Sequence, residues 1–362
     1  MQSFMITLLI CSVAMSVLAL LYMAATPFLA RHYSDKGRYY AWLIIVLGLL
    51  IPFRPQWGNA LFRMEVASYI PGIEGEINSA IPNISWWQAA AAVWLIGVIV
   101  FIILQSIRHY RFAKMVRRWS KNITDERILY LLELVKFEMG ITRRISIVLC
   151  PLAGSPMMIG LIKPRILLPT ADLTQDELSF ILKHELVHYK RKDLLYKYLA
   201  VAAMALHWFN PFVYLMMKAI NFLCETSCDA EVLRSTDENT RLYYGETIIG
   251  VASYQAKMRT VLSTSFCAGK KGMTKRLYSI METRKKKVGA IIACVILSLT
   301  MSTGLVFAPT LSELPMPYDN VPISSVESVN VNWHPPIKCN FDFPELYDTL
   351  YHLSTAENEN AD

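Results

Sequence analysis

The chain has 362 residues, of which 54% are hydrophobic and 18% are charged, with a formal net charge of +7. So apolar a composition excludes an ordinary soluble domain. The apolar residues cluster in runs without charge, and a membrane-spanning helix needs about 20 such residues. We therefore predict four transmembrane helices, at about 4–25, 39–57, 86–107 and 288–308.

The first two of these runs leave alternatives open. The first could be a signal peptide, but it lacks a basic segment before it and a small-residue cleavage site, so we favour a retained anchor. The second contains only 15 uncharged residues, 39–53, and Pro52 stands near its end. A buried or re-entrant helix is therefore the alternative to a full crossing at this point.

Lysine and arginine residues predict how the helices are oriented. Segments 26–38 and 108–121 are basic, whereas 309–362 contains nine Asp and Glu and one Lys. Because inner segments are enriched in Lys and Arg, we expect 108–287 to be a cytoplasmic domain and 309–362 to be a short acidic extracytoplasmic tail. Both termini of this multi-pass cell-membrane protein would then lie outside, and the basic inner face would meet the headgroups of the lipid bilayer.

The predicted cytoplasmic domain begins with a helix and a small sheet. Residues 125–140 have the apolar spacing of an amphipathic helix, which ends at Gly140. Three short β-rich stretches between 145 and 169 are separated by Gly and Pro, and they predict a small β-sheet. The fold class that follows is membrane α+β, with a mainly helical domain between the third and fourth spans.

Three further helices are predicted after the sheet. Thr174 and Glu177 form a capping box, which starts a helix that we expect to run to about residue 199. Residues 198–217 carry no charge, and we predict a bent apolar hairpin around Asn210–Pro211, packed into the core or dipping into the inner leaflet. Residues 221–233 predict another helix.

The pentapeptide HELVH occupies 184–188, inside the helix that Thr174 starts. Residues four apart lie on one face of a helix, so His184 and His188 can both bind one metal ion. Glu185 would lie beside that ion as the general base, which is the arrangement of HExxH zinc peptidases. The pattern thus predicts Zn²⁺ as the cofactor and Glu185 as the catalytic residue.

A zinc site of this kind needs a third protein ligand. In "NFLCETSCDAEVL", Glu225 and Asp229 are four apart and share a helix face. We predict Glu225 as the third ligand and Asp229 as the carboxylate that accepts the free N–H of His184, an interaction that orients the ring. The alternative is that both belong to a solvated acidic face with Glu231.

Two cysteines in the same segment offer a different interpretation. Cys224 and Cys228 are also four apart and could bind metal, although small buried cysteines are the commoner case. The seven cysteines of the chain include no CxxC pair, and only Cys339 lies clearly in the predicted outer part. No intramolecular disulfide framework is therefore expected there.

Several segments resemble a known family. HELVH followed by "ETSCD" resembles the gluzincin metallopeptidases, and "GLIKPRILLP", "HELVHYKRKD" and "HWFNPFVY" resemble the integral-membrane peptidases of the β-lactam sensor-transducers, the antirepressor type. The resemblance covers roughly residues 1–310 and implies a cytoplasmic gluzincin-type domain with Glu185 as general base and Glu225 as third ligand. Antibiotic-sensing members carry a penicillin-binding domain after the last span, and they cleave themselves and a DNA-bound repressor. The tail here has no S-x-x-K, so we do not expect it to bind a β-lactam through an acylated serine.

These observations predict a membrane-embedded zinc endopeptidase that transduces a signal by cleaving itself or a cytoplasmic regulator such as a repressor. The expected partners are a protein or peptide substrate and the lipid bilayer, and no direct binding of nucleic acid is expected. A housekeeping quality-control peptidase is the first alternative. The second is a non-catalytic zinc-binding scaffold, which Glu185 between the two histidines disfavours.

The sequence is less specific about the remaining parts of the site. His207, Tyr243 and Tyr244 are candidates for the group that stabilises the oxyanion, and for His207 a hydrogen-bonded core histidine is the alternative. A substrate would bind as an extended strand at an edge of the small sheet, near "SPMMIG". Self-cleavage of the linker 255–285, around Ser263–Ala268, is a further hypothesis, and an amphipathic lead-in to the last span is its alternative.

Overall fold

The structure, a computed structural model, describes residues 2–51, 62–65, 86–234, 236–258, 270–284, 286–287 and 289–310. The described residues all belong to one compact unit, Met1–Ser312. They are mostly helical, with a small mixed sheet.

The helices are α1 (Gln2–His32), α2 (Asp35–Leu50), α3 (Trp86–Trp119), α4 (Glu126–Glu138), α5 (Gln175–Lys190), α6 (Asp193–Leu206), α7 (Pro211–Val232), α8 (Glu238–Met258), α9 (Lys270–Met281) and α10 (Ala290–Val306). The strands are β1 (Phe62–Glu65), β2 (Lys121–Asn122), β3 (Ser146–Leu149), β4 (Met157–Ile159), β5 (Arg165–Leu168) and β6 (Phe307–Thr310).

Two of the described helices, α1 and α3, are long and apolar enough to cross a membrane. They contain the first and third predicted spans. The fourth predicted span contains α10, a shorter apolar helix of 17 residues. The second predicted span coincides with α2 only as far as Leu50, and its residues 52–57 lie outside the described part of the chain. All four membrane crossings therefore stay predictions, and length and apolarity favour them most for α1 and α3.

Helix α2 lies at the centre of an apolar core. Its side chains Tyr39, Trp42, Ile45 and Val46 are almost completely buried, and they pack with residues of α1, α6, α7 and α10. Helix α2 also comes very close to the start of α10. A Cβ added to Gly37 would lie 2.3 Å from the Cα of Gly289, so the two backbones meet where only glycine leaves room.

Helix α3 is attached to this core through two tryptophans. The indole N–H of Trp94 donates to the carbonyl of Leu206 at 2.9 Å, and the indole N–H of Trp208 donates to the carbonyl of Trp94 at 3.2 Å. The Trp208 ring occupies the space that a side chain at residue 97 would need, and that residue is Gly97. Most other apolar side chains of α3 are exposed, and a large exposed apolar surface marks a site that contacts a partner or a membrane.

The small sheet has the strand order β2-β3-β5-β4. Strands β3 and β5 are parallel, and β2 and β4 pair with them antiparallel at the two edges. One face packs on α4 and α5, with Leu132, Val135, Ile166 and Leu182 in the core. The other face packs on the end of α3 around Val116. Outside this sheet, β1 and β6 form a separate parallel pair.

The helices after the sheet differ from the prediction in two places. The helix that Thr174 caps ends at Lys190, and α6 begins at Asp193 after a turn in which Lys192 is left-handed, with φ 57°. The predicted hairpin is formed by α6 and α7 and bends at His207–Asn210. The separate helix predicted at 221–233 is instead the continuation of α7, which runs unbroken from Pro211 to Val232.

Candidate metal centre

Helix α5 supplies three of the residues that the HELVH pattern singled out. Its capping box is formed by Thr174 and Glu177, so the helix is fixed two and a half turns before the motif. Leu182 and Leu186 are fully buried and hold one face of α5 in the core. His184, Glu185 and His188 lie on the side that borders a cleft of about 1750 Å³.

The structure brings His184, His188 and Glu225 together, and we call these residues the ligand triad. The Nε2 atoms of the two histidines are 3.2 Å apart. The Glu225 carboxylate lies 3.4 Å from Nε2 of His184 and 3.8 Å from Nε2 of His188. Zinc bonds of about 2.0–2.1 Å in a tetrahedral arrangement put ligand atoms about 3.3 Å apart, so the spacing of the triad fits one zinc ion.

Asp229 and Tyr244 hold the other side of the His184 ring. The Nδ1 atom of His184 is 3.3 Å from the Asp229 carboxylate and 3.0 Å from the Tyr244 hydroxyl. Tyr244 donates to the same carboxylate at 2.6 Å. These acceptors favour the proton on Nδ1 and leave the Nε2 lone pair directed into the triad, as a metal ligand requires.

His188 is held in the same way by a residue that the sequence analysis did not assign. Its Nδ1 atom is 2.8 Å from the carboxylate of Asp193, which is itself buried. Asp193 stands in the first turn of α6, and it reaches His188 because the chain turns at Lys192. The one signal in the sequence was the position of this carboxylate five residues after the second histidine.

Arg276 of α9 is the other residue that the sequence analysis missed. Its guanidinium binds Asp229 through two nitrogens, at 2.7 and 2.9 Å, and lies 3.2 Å from Glu225. Burial disfavours the charged form of both carboxylates, but the charge of Arg276 and the hydrogen bonds with His184 outweigh it. The pKa of Asp229 is lowered from 3.8 to about 2, and the pKa of Glu225 lies well below its ordinary value. Both groups are therefore carboxylates at neutral pH.

The electrostatics of the triad favour a cation. Burial opposes protonation of both histidines, but the hydrogen bonds with Asp229 and Asp193 outweigh it and raise the pKa of each ring. A positive charge between the rings is thus stabilised by three carboxylates on different sides. The Glu225 side chain is 35% exposed, so the triad is open to the cleft on this side.

The catalytic candidate Glu185 is nearly buried, and its side chain borders the cleft next to the triad. The three oxyanion candidates occupy other places. Tyr244 is engaged with Asp229 behind His184, and Tyr243 contacts the Thr174 hydroxyl at 3.0 Å. His207 is buried at the hairpin bend, and its Nε2 atom lies 3.1 Å from the carbonyl oxygen of Leu49. This is the hydrogen-bonded core histidine that the sequence left as the alternative to an oxyanion-stabilising role.

A second group of side chains that could hold a metal lies behind His188. It consists of His188, Asp193, Cys224 and Cys228. Both sulfurs are buried, and Arg191 donates to Cys228 at 3.2 Å and lies 3.5 Å from Asp193. A guanidinium in this position already supplies positive charge to the group. The arrangement therefore indicates a packed polar cluster that orients His188, rather than a second metal site.

Strand β4 forms an edge of the sheet beside the cleft. Met157, Met158 and Gly160 border the same cleft as the triad, and they belong to the "SPMMIG" segment in which substrate binding was expected. The linker residues Ser263–Ala268, where self-cleavage was hypothesised, lie outside the described residues.

Comparison with known proteins gives a family match. A family model described as BlaR1 peptidase M56 matches residues 6–280. The regulatory protein BlaR1 of Bacillus licheniformis is 26% identical over 346 residues, which is 87% of this chain and 57% of that protein. The methicillin resistance mecR1 protein of Staphylococcus aureus is 24% identical over 304 residues, or 75% of this chain and 50% of that protein. The chain spans about half the length of these relatives.

Proposed function

Because this chain belongs to the BlaR1 peptidase M56 family, we propose that it is a membrane-embedded zinc-dependent endopeptidase. In this proposal it transduces a signal by cleaving itself or a cytoplasmic regulator such as a repressor. The observation that carries the proposal is the spacing of His184, His188 and Glu225, which fits one tetrahedral zinc ion, with Glu185 beside them at the cleft.

Each residue of the site has its own role in the proposed reaction. A zinc ion held by the triad would supply Lewis acidity, which acidifies water and polarises a peptide carbonyl. Glu185 takes the proton of the attacking water and passes it to the leaving amine. Asp229 and Asp193 keep the two imidazole rings in place, and Arg276 keeps Asp229 ionised. The free edge of β4 pairs with the substrate backbone in an extended conformation.

The proposal includes a membrane arrangement. Four helices cross the bilayer, at about 4–25, 39–57, 86–107 and 288–308, and the site faces the cytoplasm. The two long apolar helices α1 and α3 and the basic segment after residue 107 support it. A signal received outside would reach the site through α2, α7 and α10, which pack in one core.

A cleavage assay on the purified full chain tests the enzymatic part. We expect the zinc-loaded protein to cleave protein or peptide substrates, and we expect a chelator to abolish this. Glu185→Gln should lower the rate by about 10²–10⁴-fold, because the proton transfer is lost, while the zinc content stays the same. Mass spectrometry of the fragments shows whether the linker around Ser263–Ala268 is also cut.

The outcomes separate the proposal from its alternatives. Equal cleavage by Glu185→Gln and the unsubstituted protein would contradict the role of Glu185. Zinc binding without any cleavage would favour a non-catalytic scaffold. Cleavage of many unrelated unfolded proteins at similar rates would favour a housekeeping peptidase.

A further inference from the structure

The cleft beside the triad is lined by more positive than negative side chains. Seven Lys and Arg residues border it, against three carboxylates. The three carboxylates are Glu185, Asp193 and Glu225, and each has a place in the metal centre. No acidic side chain in the described lining of the cleft is left over to balance the cations.

Three of the seven cations have partners in the structure. Arg276 binds Asp229 and Glu225, Lys190 donates to the carbonyl of Met139 at 3.0 Å, and Arg143 donates to the carbonyl of Ile162. Within the described part of the chain, the other four form no ion pair. We call them the cleft lysines: Lys192, Lys197, Lys218 and Lys275.

The cleft lysines line the same cleft as the ligand triad. Lys197 follows Asp193 by one turn of α6, and Lys218 precedes Glu225 by two turns of α7, so each lies on the helix face that carries a residue of the metal centre. Lys275 is the neighbour of Arg276 on α9. Lys197 is partly buried, whereas the other three are exposed at the rim of the cleft.

Lys197 stays charged in this setting. Burial disfavours its ammonium group, but the acidic groups around it, Cys224 and Glu225 first among them, outweigh burial and raise its pKa. Lys197 faces the cleft as a partly buried cation without an ion pair among the described residues, and an anionic group of a substrate could supply the counter-charge.

We propose that the cleft lysines select peptide substrates with acidic side chains within about two residues of the scissile bond. This inference rests on the proposed function and specifies its substrate class. A cleft lined by one sign of charge focuses the electric field and concentrates ligands of the opposite sign. Met157, Met158 and Phe222 on its walls provide apolar contacts beside the charges.

The charge of the cleft also discriminates between the two substrates of the proposed function. Residues 255–269, the part of the linker that precedes α9, contain two Lys and Arg and no Asp or Glu. Such a segment brings no negative charge to the cleft lysines. A separate acidic protein segment therefore fits the cleft better than the linker does.

Peptide binding to the full-length Glu185→Gln protein, loaded with zinc and purified in detergent, tests the selection without cleavage. Three fluorescent peptides share one apolar centre and carry Glu, Gln or Lys on both sides of it, and fluorescence anisotropy measures their affinity. We expect the Glu peptide to bind about tenfold more tightly than the Gln peptide at low salt, and the Lys peptide to bind more weakly than both. High salt should reduce these differences.

Variants assign the effect to the cleft. In the same protein, Lys197→Gln with Lys218→Gln should remove most of the preference, and Lys197→Glu with Lys218→Glu should make the Lys peptide the tighter ligand. Lys114→Gln is the matched control, because Lys114 is exposed on α3 and does not border the cleft. Zinc content checks that each variant keeps its metal centre.

Equal affinity for the three peptides, or an equal loss of preference in Lys114→Gln, would overturn the inference. Neither result would contradict the proposed function, because that function is tested by cleavage with the unsubstituted protein. If that protein cleaves no peptide of any charge, the proposed function fails, and the anisotropy result still decides whether the cleft selects acidic ligands.

Discussion

The two histidines of α5 differ in what holds the ring nitrogen that faces away from the triad. His184 has Asp229 and Tyr244, which are themselves bound to each other. His188 has Asp193, whose second carboxylate oxygen accepts a hydrogen bond from the Tyr39 hydroxyl at 3.1 Å. Each ring thus has its own carboxylate, and each carboxylate is anchored by a tyrosine. The imidazoles are oriented before any metal binds.

Replacing Asp193 with Asn tests this role at a residue that the motif does not include. The amide is nearly the same size as the carboxylate, but it is neutral and a weaker acceptor for the N–H of His188. We expect the affinity for zinc to fall by about 10–100-fold, which is the usual cost of losing such a carboxylate. Competition with a fluorescent chelator, on the purified protein, measures the affinity.

Asp172→Asn is the control for this substitution, because Asp172 is exposed in the loop before α5. Its zinc affinity should equal that of the unsubstituted protein. A change of less than twofold in Asp193→Asn would mean that the cluster around His188 does not support the triad.

The sequence predicted the residues of the triad but only half of what surrounds them. Helical spacing relates residues within one element, and it was enough to pair His184 with His188 and Glu225 with Asp229. Asp193 reaches His188 only because α5 ends at Lys190, about nine residues earlier than expected, and the chain turns at Lys192. Arg276 and Tyr244 come from helices α9 and α8, and no local pattern connects them with α5.

At the scale of elements, the hairpin of α6 and α7 explains how an uncharged stretch of 20 residues, 198–217, can be something other than a single crossing. The side chain of Asn210 at the bend finds its hydrogen-bond partners inside the fold. Asn210 caps α7 by accepting from the N–H of Phe212 at 2.9 Å, and its amide donates to the hydroxyls of Ser12 and Ser16 at 2.9 and 2.7 Å. The bend is therefore fastened to α1.

Asn210→Ala removes the cap and both hydrogen bonds at once. We expect the free energy of unfolding to fall by about 2 kcal/mol, with about 1 kcal/mol from the cap and the remainder from the buried hydrogen bonds. Proteolysis of the protein in detergent, after brief exposure to increasing denaturant, measures the midpoint of unfolding.

Asn239→Ala provides the comparison, since Asn239 is exposed near the start of α8. It should shift the midpoint by much less than Asn210→Ala does. Equal midpoints for the two variants would show that the contact between the bend and α1 contributes little to stability.

Element boundaries were predicted best where a local signal marks them. The capping box at Thr174 started α5 as expected, and the Asn210–Pro211 pair placed the bend of the hairpin. The end of α5 had no such signal, because Lys192 adopts the left-handed conformation that glycine or asparagine usually marks. The order of the strands depends on contacts across the sheet, which the pattern of single strands does not contain.

For the molecule as a whole, the distribution of apolar surface is the link between fold and membrane. Helix α1 is half covered by other helices, whereas α3 exposes most of its apolar length. The triad lies between α5 and α7, and α7 extends back into the core that α1, α2 and α10 share. In the proposed function, a movement of the helices in that core would shift Glu225 relative to the histidines and so carry the signal to the metal centre.

The sidedness of the chain can be tested with its own cysteines. Cys11, Cys150, Cys224 and Cys228 are buried, and Cys294 is exposed on the apolar helix α10. The proposed topology places Cys267 in the cytoplasmic linker and Cys339 in the outer tail.

We expect a charged, membrane-impermeant maleimide to label Cys339 in intact cells and to label Cys267 only after the membrane is permeabilised, because the charged reagent does not cross lipid. Cys339→Ser should abolish the labelling of intact cells, and Cys267→Ser should leave it unchanged. Labelling of Cys267 in intact cells would place the linker, and with it the metal centre, on the outer side, where a cytoplasmic regulator could not be the substrate.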